Sequence, residues 1–288
     1  MFSGTYTAIV TPFNLDGSVD YVRYRELIEK QIAGGVAGIV PVGTTGESPT
    51  LSMEEHLEVV RVCAEQVDGR VQVIAGTGAN ATQEAVELTE AVIGYGVDAT
   101  LQVTPYYNKP SPEGLYRHFS TIADLGLPVV LYNVPGRTSR DIPVAVVKRL
   151  ADHPKVVAIK EAAGDVGRVS QIRAVCDLEV LSGDDGLALP MISVGACGLI
   201  SVASNVVPRE VSDLVRLALE GRMTEALQLH QRLTGLFADL FIEVNPVPVK
   251  AALAMMGRIE ETYRLPLCEM APENRRRLEA TMQSLGLV

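Results

Sequence analysis

A lysine closes an apolar stretch near the middle of the chain. The segment "VVAIKEAAGD", residues 156–165, is almost unbroken in its hydrophobicity until Lys160. A lysine is rarely buried without a partner, because the loss of its hydration is costly. One interpretation is that Lys160 leaves the core and forms an ion pair with the nearby Glu161 or Asp165. The other is that Lys160 is an amine nucleophile, which the rest of the chain has to support.

An amine nucleophile suits a carbonyl substrate. The amine must be neutral to attack a ketone, and partial desolvation of Lys160 favours the neutral form. The iminium that forms is an electron sink, so that an adjacent carbon can lose a proton and become an enamine. Each of these stages needs groups that carry protons, and a substrate carboxylate needs a group that binds it.

Groups of this kind close other apolar stretches of the chain. The hydroxyl groups and the arginine in these positions are Thr44, Thr45, Tyr106, Tyr107, Tyr132 and Arg137. Tyr132 could carry protons for Lys160, and the Thr44 hydroxyl could link it to a second tyrosine. Arg137 could bind a carboxylate through two parallel hydrogen bonds. Taken singly, several of them have a structural explanation: a tight turn for "GTTGE", a core position for Tyr132 and a surface position for Arg137.

The elements that must position these groups follow from the hydrophobic pattern. Eight short apolar stretches alternate with amphipathic segments: "TAIVTPF", "GIVPVGTTGE", "VQVIAGTG", "ATLQVTPYY", "PVVLYNVPG", "VVAIKEA", "LEVLSGDD" and "GLISVASN". Their continuous hydrophobicity is typical of parallel strands that are covered on both faces. Eight rounds favour an α/β fold of the (β/α)8 TIM-barrel type, with a doubly wound open sheet as the alternative. In a barrel, the groups that close the strands would meet on one rim.

Two further parts of the chain give structural predictions. The segment "SMEEHLEVVRVCAEQV" predicts a helix that begins with a capping box of Ser52 and Glu55. Its apolar face is expected to consist of Leu57, Val60, Ala64 and Val67. After the eighth strand the chain has only helical patterns. We therefore predict a catalytic barrel over residues 1–224 and a small C-terminal helical region over residues 225–288.

Composition and charge argue against several classes of protein. The 288 residues carry a net charge of -10, which is unfavourable for binding nucleic acid or an anionic membrane. The four cysteines are scattered without a C-x-x-C pair, which is typical of reduced thiols in a cytosolic protein. No secretory signal is predicted, since the first positive side chain is Arg23. The uncharged residues 186–208 contain Pro190 and several glycines, and therefore predict a short helix, a turn and a strand rather than a membrane span.

Other catalytic chemistries lack their motifs. The four histidines show no ligand spacing with one another, which argues against a metal-dependent aldolase. The "GTTGE" turn lacks the lysine of a phosphate-binding P-loop, and no G-x-S-x-G serine elbow occurs. An amine nucleophile with hydroxyl proton carriers is the chemistry that the sequence predicts.

Six motifs, in their order and spacing, resemble the dihydrodipicolinate synthase family: "VGTTGESPTLS", "TPYYNKPSPEGLYRHF", "LYNVPGRT", "VVAIKEA", "LSGDD" and "NPVPVKAAL". The resemblance extends over essentially the whole chain. It implies a TIM barrel and a cofactor-independent lyase that condenses pyruvate with L-aspartate 4-semialdehyde in lysine and diaminopimelate biosynthesis. One alternative is another pyruvate-dependent class I aldolase, acting on N-acetylneuraminate or a sugar acid. The second alternative is a catalytically silent barrel, which would be expected to have lost Lys160, Tyr132 or Thr44.

The resemblance implies a catalytic role for four residues. Lys160 would form a Schiff base with pyruvate. Tyr132, Thr44 and Tyr107 match the family's proton relay, in which the second tyrosine of "PYY" comes from a neighbouring subunit. A homotetramer built from two tight dimers is therefore expected, in the cytoplasm and without a nucleic-acid or membrane partner.

The resemblance also implies the groups that surround the substrates. Thr45, with Thr44, would bind the pyruvate carboxylate, and Arg137 would bind the carboxylate of the semialdehyde. Gly183 and Ile200 match positions beside the Lys160 site.

An allosteric site for L-lysine is implied as well. Its residues would be Ser48, His56, Asn80, Glu84 and Tyr106. Glu84 supplies the negative charge that an ammonium group needs, although an acid in the first turn of a helix is also favoured by the helix dipole. Met53 departs from the pattern, because lysine-sensitive relatives often carry a histidine or an aromatic residue there. Partial inhibition is therefore expected.

Overall fold

Eight parallel strands close into a barrel in the structure, a computed structural model that describes residues 2–288. The strands follow chain order around the barrel, and the first is hydrogen-bonded to the eighth. They are β1 (Gly4–Ala8), β2 (Gly38–Val40), β3 (Gln72–Gly76), β4 (Ala99–Val103), β5 (Val129–Asn133), β6 (Val156–Glu161), β7 (Glu179–Ser182) and β8 (Gly198–Ser201). The TIM-barrel prediction is confirmed. The open-sheet alternative is wrong, since Gly4 to Thr7 pair in register with Gly198 to Ser201.

Helices cover the outside of the barrel and continue beyond it. They are α1 (Tyr21–Ala33), α2 (Met53–Val67), α3 (Thr82–Val92), α4 (Pro112–Ala123), α5 (Pro135–Thr138), α6 (Val144–Ala151), α7 (Gly167–Arg173), α8 (Ala188–Ser193), α9 (Pro208–Leu219), α10 (Met223–Asp239), α11 (Val247–Met255) and α12 (Pro272–Ser284). The helices α10, α11 and α12 form the C-terminal region, where α12 packs on α10 and α11. The division after residue 224 stays a prediction, and α10 begins at Met223.

The continuous hydrophobicity of the strands has a simple cause. Alternate side chains of a strand point to opposite faces, and both faces of each strand are covered here. In β5, Val130 and Tyr132 belong to the cluster inside the barrel. Val129 and Leu131 belong to a second cluster, which contains Leu115 and other side chains of the surrounding helices.

Helix α2 begins as predicted but buries a different face. The Ser52 hydroxyl accepts from the Glu55 N–H, and the Glu55 carboxylate accepts from the Ser52 N–H, which confirms the capping box. Leu57 and Ala64 are only half-buried. The buried positions are His56, Val59, Val60, Val62, Cys63 and Val67. The face is rotated because the helix packs on β3, where the His56 ring Nε2 lies 2.8 Å from the Gly76 carbonyl oxygen.

The uncharged segment near β8 folds as predicted. It contains α8, a turn at Gly195 with a φ of +110°, and β8. Across residues 2–288, the structure contains no helix with the length and apolar character needed to cross a membrane.

Candidate active site

Lys160 and Tyr132 lie side by side at the ends of β6 and β5. The two residues are direct partners in the parallel pairing of these strands. The Lys160 Nζ lies 4.2 Å from the centroid of the Tyr132 ring, and each residue is 6% exposed. The ion-pair interpretation of Lys160 is wrong. In the part of the chain that the structure describes, no carboxylate lies within ion-pair distance of its Nζ, and Glu161 pairs with Arg168 instead.

A second set of polar side chains holds this strand pair from the opposite face. Glu161 is fully buried, and both of its carboxylate oxygens accept from the Asn133 amide at 3.0 and 3.1 Å. The Arg168 Nε donates to the same carboxylate at 2.9 Å. The Asn133 Oδ1 accepts from the Ile142 N–H. These contacts fix the register of β5 and β6, and thereby the position of Lys160 beside Tyr132.

The sequence contains a signal for this support, although neither Asn133 nor Glu161 was predicted as part of the site. Asn133 directly follows Tyr132, and Glu161 directly follows Lys160. Because neighbouring residues of a strand point to opposite faces, a polar residue next to each site residue has to find a partner in the helix layer. Asn133 and Glu161 find each other there.

Gly183 borders the Lys160 side chain, and Ile200 lies in the barrel interior. A Cβ at Gly183 would lie 2.7 Å from the Ala162 Cβ and 3.0 Å from the Lys160 Cε, so that a larger residue would clash with Ala162 and crowd the lysine. Ile200 is fully buried in the same interior cluster as Tyr132.

Asp185, in the "SGDD" motif, joins the ends of β7 and β8. Its carboxylate accepts from the Ser201 hydroxyl and from the Val202 and Ala203 N–H groups. Complete burial raises the pKa of Asp185 to about 6, against the opposing effect of these hydrogen bonds. Asp185 therefore fixes the wall of the barrel beside Gly183.

The double-threonine turn after β2 presents free donors. Thr44 is half-buried and Thr45 is buried. Neither of their backbone N–H groups donates to another group from Phe2 to Val288. The turn is closed by other bonds, from the Gly46 N–H to the Gly43 carbonyl and from the Glu47 N–H to the Thr44 carbonyl. Consecutive free N–H groups in a turn can bind an anion such as a carboxylate.

A cavity of about 500 Å³ opens at this end of the barrel. Seven residues of the predicted sites line it: Thr44, Ser48, His56, Glu84, Tyr106, Tyr132 and Arg137. Residues predicted for catalysis and for effector binding thus share one cavity. Thr45, Asn80, Tyr107, Lys160, Gly183 and Ile200 lie outside its lining.

The loop after β4 carries two tyrosines in different environments. Tyr106 is 40% exposed, whereas Tyr107 is 92% exposed and has a φ of +72°. A positive φ is unfavourable for a residue with a bulky side chain. The strand side of this loop is fixed by Thr104, whose N–H and hydroxyl both donate to the Tyr132 carbonyl. Within one chain, Tyr107 therefore points to solvent.

Four of the predicted effector residues line the cavity. Burial raises the pKa of Tyr106, and the charge of Glu84 adds to this effect. Burial lowers the pKa of His56, so that its ring is neutral near pH 7. If the His56 Nε2 donates to the Gly76 carbonyl, the Nδ1 is an acceptor. The main-chain carbonyl of the fifth residue, Asn80, accepts from the Asn108 side-chain amide at 2.8 Å, next to Tyr107.

The C-terminal region reaches the double-threonine turn through a buried ion pair. Lys250 of α11 and Glu47 are both fully buried, and the Lys250 Nζ lies 2.5 Å from the Glu47 Oε1. The Nζ also lies 4.2 Å from the centroid of the Phe13 ring and 5.3 Å from that of Tyr263. Burial lowers the pKa of Lys250, against the opposing effect of Glu47. The "NPVPVKAAL" motif contributes to the family resemblance, but the role of its lysine was not predicted from the sequence.

Known proteins match this chain over its whole length. The model of the dihydrodipicolinate synthetase family matches residues 1–285. The 4-hydroxy-tetrahydrodipicolinate synthase of Nitratidesulfovibrio vulgaris (strain DSM 19637 / Miyazaki F) is 49% identical over 291 residues, which cover 100% of this chain and 99% of the relative. The chain therefore belongs to the dihydrodipicolinate synthetase family.

Solved structures of this family have the same fold. The 4-hydroxy-tetrahydrodipicolinate synthase of Methylacidiphilum fumariolicum SolV is 53% identical, with a TM-score of 0.98 over 99% of this chain and 96% of that chain. A chloride-inhibited dihydrodipicolinate synthase of Acinetobacter baumannii, complexed with pyruvate, is 44% identical, with a TM-score of 0.98 over 100% of both chains. The enzyme of Cyanidioschyzon merolae, with lysine bound, is 40% identical, with a TM-score of 0.97 over 100% of this chain and 99% of that chain.

Proposed function

We propose that this chain is a lyase that condenses pyruvate with L-aspartate 4-semialdehyde to 4-hydroxy-tetrahydrodipicolinate, by way of a Schiff base on Lys160. The observation that carries the proposal is the position of Lys160, a buried amine that faces a tyrosine ring and has no carboxylate partner among residues 2–288. The names of the curated relatives support the reaction, and the pyruvate complex of the Acinetobacter baumannii enzyme supports the first substrate.

The reaction begins with attack by the Lys160 amine on the C2 carbonyl of pyruvate. Loss of water gives the imine, whose protonated form withdraws electrons from C2. A proton then leaves C3, and the resulting enamine attacks the aldehyde carbon of the second substrate. The new carbon–carbon bond leaves an imine on Lys160, and attack on that imine carbon by an amine or by water frees the lysine.

The neighbouring residues supply protons and bind carboxylates. Tyr132 exchanges protons at the imine, and Thr44 links it to Tyr107. Thr45 and the free N–H groups of the turn bind the pyruvate carboxylate. Arg137 binds the carboxylate of the semialdehyde. Gly183 keeps space for the Lys160 side chain, and Ile200 forms part of the apolar wall.

The proton relay requires an assembly. Tyr107 is 92% exposed in the single chain, which supports its insertion into the site of a partner subunit. The positive φ of Tyr107 supports the same role, because strained residues tend to lie at functional positions. We infer a homotetramer of two tight dimers that acts in the cytoplasm, within lysine and diaminopimelate biosynthesis.

L-Lysine is the proposed allosteric effector. Glu84 would bind one of its ammonium groups, with His56 and Tyr106 as neighbours, while Ser48 and Asn80 complete the polar surface. The lysine-bound enzyme of Cyanidioschyzon merolae supports this ligand. The contact between Asn80 and Asn108 connects the effector residues to the loop that carries Tyr107.

The proposed function is tested by trapping the imine. The protein is incubated with pyruvate and borohydride and analysed by mass spectrometry, and we expect one reduced pyruvyl adduct, located on Lys160. A second assay compares substrates: consumption of the semialdehyde with pyruvate is expected, and cleavage of N-acetylneuraminate is not. An adduct elsewhere, the absence of an adduct or cleavage of the sugar acid would each contradict the proposal.

A further inference from the structure

Asn245 connects the two groups that are proposed to bind the substrate carboxylates. It lies in the loop between α10 and α11 and is 6% exposed. Its side-chain Nδ2 donates to the Thr45 hydroxyl oxygen at 3.0 Å. Its main-chain carbonyl accepts from the Arg137 Nη2 at 3.2 Å. One residue of the C-terminal region thus contacts the double-threonine turn and the arginine of α5.

The direction of the first hydrogen bond has a chemical consequence. A threonine hydroxyl has one proton to donate and lone pairs that accept. When Asn245 donates to the Thr45 oxygen, the hydroxyl proton stays free for another acceptor. A carboxylate has only acceptor atoms, so that this arrangement prepares Thr45 for a carboxylate ligand.

The neighbourhood of Asn245 keeps this arrangement in place. The chain continues from Asn245 into α11, where Lys250 is paired with Glu47. Glu47 follows Thr45 closely in the same turn. Residues 245–250 and the threonine turn are therefore joined at two points, by the Asn245 amide and by the buried ion pair of Lys250.

We propose that Asn245 is a positioning residue, which directs the Thr45 hydroxyl proton toward the pyruvate carboxylate and holds Arg137 at the second carboxylate. The proposal rests on the proposed function and names the residue that prepares its carboxylate sites. The two contacts respond differently to substitution. A change of side chain removes the contact to Thr45, whereas the main-chain carbonyl that accepts from Arg137 is retained in every variant.

The test compares pyruvate binding in two variants of Asn245. Asn245→Asp preserves the shape of the side chain but not its hydrogen-bond donor, whereas Asn245→Ala preserves neither. Asn245→Ala removes the donor, and we expect about a tenfold rise in the pyruvate concentration that gives half-maximal trapping on Lys160. Asn245→Asp keeps the shape but accepts the Thr45 proton and adds a negative charge, so that a rise of roughly a hundredfold is expected. The KM for the semialdehyde should change by less than about threefold in both variants, because the Arg137 contact is retained.

The matched control is Thr281→Val. It removes a hydrogen bond from Thr281 to Asp239, between α12 and α10, without touching the site. Trapping and both KM values should equal those of the wild type. Thermal unfolding of all variants is measured alongside, and Asn245→Asp carries the test alone if Asn245→Ala does not fold.

The outcomes separate this inference from the proposed function. A wild-type protein that forms no adduct on Lys160 would contradict the proposed function. A wild-type adduct together with unchanged half-saturation in the variants would contradict the role of Asn245 alone. The proposed role of Asn245 would also be overturned if Asn245→Asp bound pyruvate as tightly as Asn245→Ala or more tightly. That result is expected if the amide serves only the local structure, because aspartate keeps its shape.

Discussion

Two buried lysines of this chain have opposite surroundings. Lys250 lies in the C-terminal region, is fully buried and is paired with the Glu47 carboxylate. Lys160 lies at the end of β6, is nearly as buried, and faces the Tyr132 ring with no carboxylate partner in residues 2–288. Both amines lie near aromatic rings, so that the carboxylate is the main difference.

The difference fits a structural role for Lys250 and the proposed chemical role of Lys160. A buried ammonium is stabilised by a carboxylate, and the Lys250 pair is held in that form between α11 and the threonine turn. An amine that will attack a carbonyl has to be neutral and accessible to its substrate. The barrel directs the neighbouring carboxylate, Glu161, away from Lys160 and toward Arg168.

The largest expected effect is on activity at Lys160. Lys160→Met should lower kcat/KM by on the order of 10³-fold or more, because the nucleophile is lost. The melting temperature should change little, since no ion pair is broken. Lys155→Met, at the exposed position just before the same strand, is the control and should retain activity. Substantial turnover by Lys160→Met would remove the distinction between the two lysines.

The next largest effect is on stability at Lys250. Lys250→Met leaves the Glu47 carboxylate buried without its partner, and should lower the free energy of unfolding by about 3–5 kcal/mol. The double variant Lys250→Met/Glu47→Gln should recover part of this loss in urea unfolding. Folded Lys250→Met should still form the adduct on Lys160. If Lys250→Met were as stable as the wild type, the ion pair with Glu47 would not stabilise the fold, and Lys250 would not have the structural role assigned to it.

A smaller effect is expected at Tyr107, through which the Lys160 site would depend on another subunit. Tyr107→Phe should lower kcat roughly 10²-fold, as expected for a lost proton carrier. Coexpression with Lys160→Met, which is inactive by itself, would build mixed dimers with one intact site, and random pairing restores about a quarter of the wild-type sites. No recovery in purified mixed assemblies would mean that Tyr107 acts within its own chain or not at all.

The smallest expected effect concerns regulation of the Lys160 site. L-Lysine should inhibit the wild type partially, and Glu84→Ala should raise the half-inhibiting lysine concentration about tenfold. Glu87→Ala, which removes an exposed acid one turn later in α3, is the control and should be inhibited like the wild type. Equal inhibition of Glu84→Ala and wild type, or none in the wild type, would show that this part of the cavity is not the effector site.

Much of the barrel, and two residues of the candidate site, could be predicted from the sequence. The eight strands were visible because an apolar run of β-branched residues is a local signal, and the residue that closes a barrel strand lies on a known rim. Lys160 and Tyr132 were found in this way. The helical face of α2 was predicted less well, since half of the chosen positions are only half-buried.

What the sequence by itself determined is therefore local: the strand periods, the capping box and the residues that close each strand. Only the tertiary structure decided which distant groups meet. The Asn245 amide and the Thr45 hydroxyl are 200 residues apart in the chain, and Lys250 and Glu47 are 203 apart. The physical reason is that side-chain alternation depends on neighbours in the chain, whereas the partner of a buried polar group depends on barrel closure and on the packing of the C-terminal helices. Neither of these leaves a periodic pattern in the sequence.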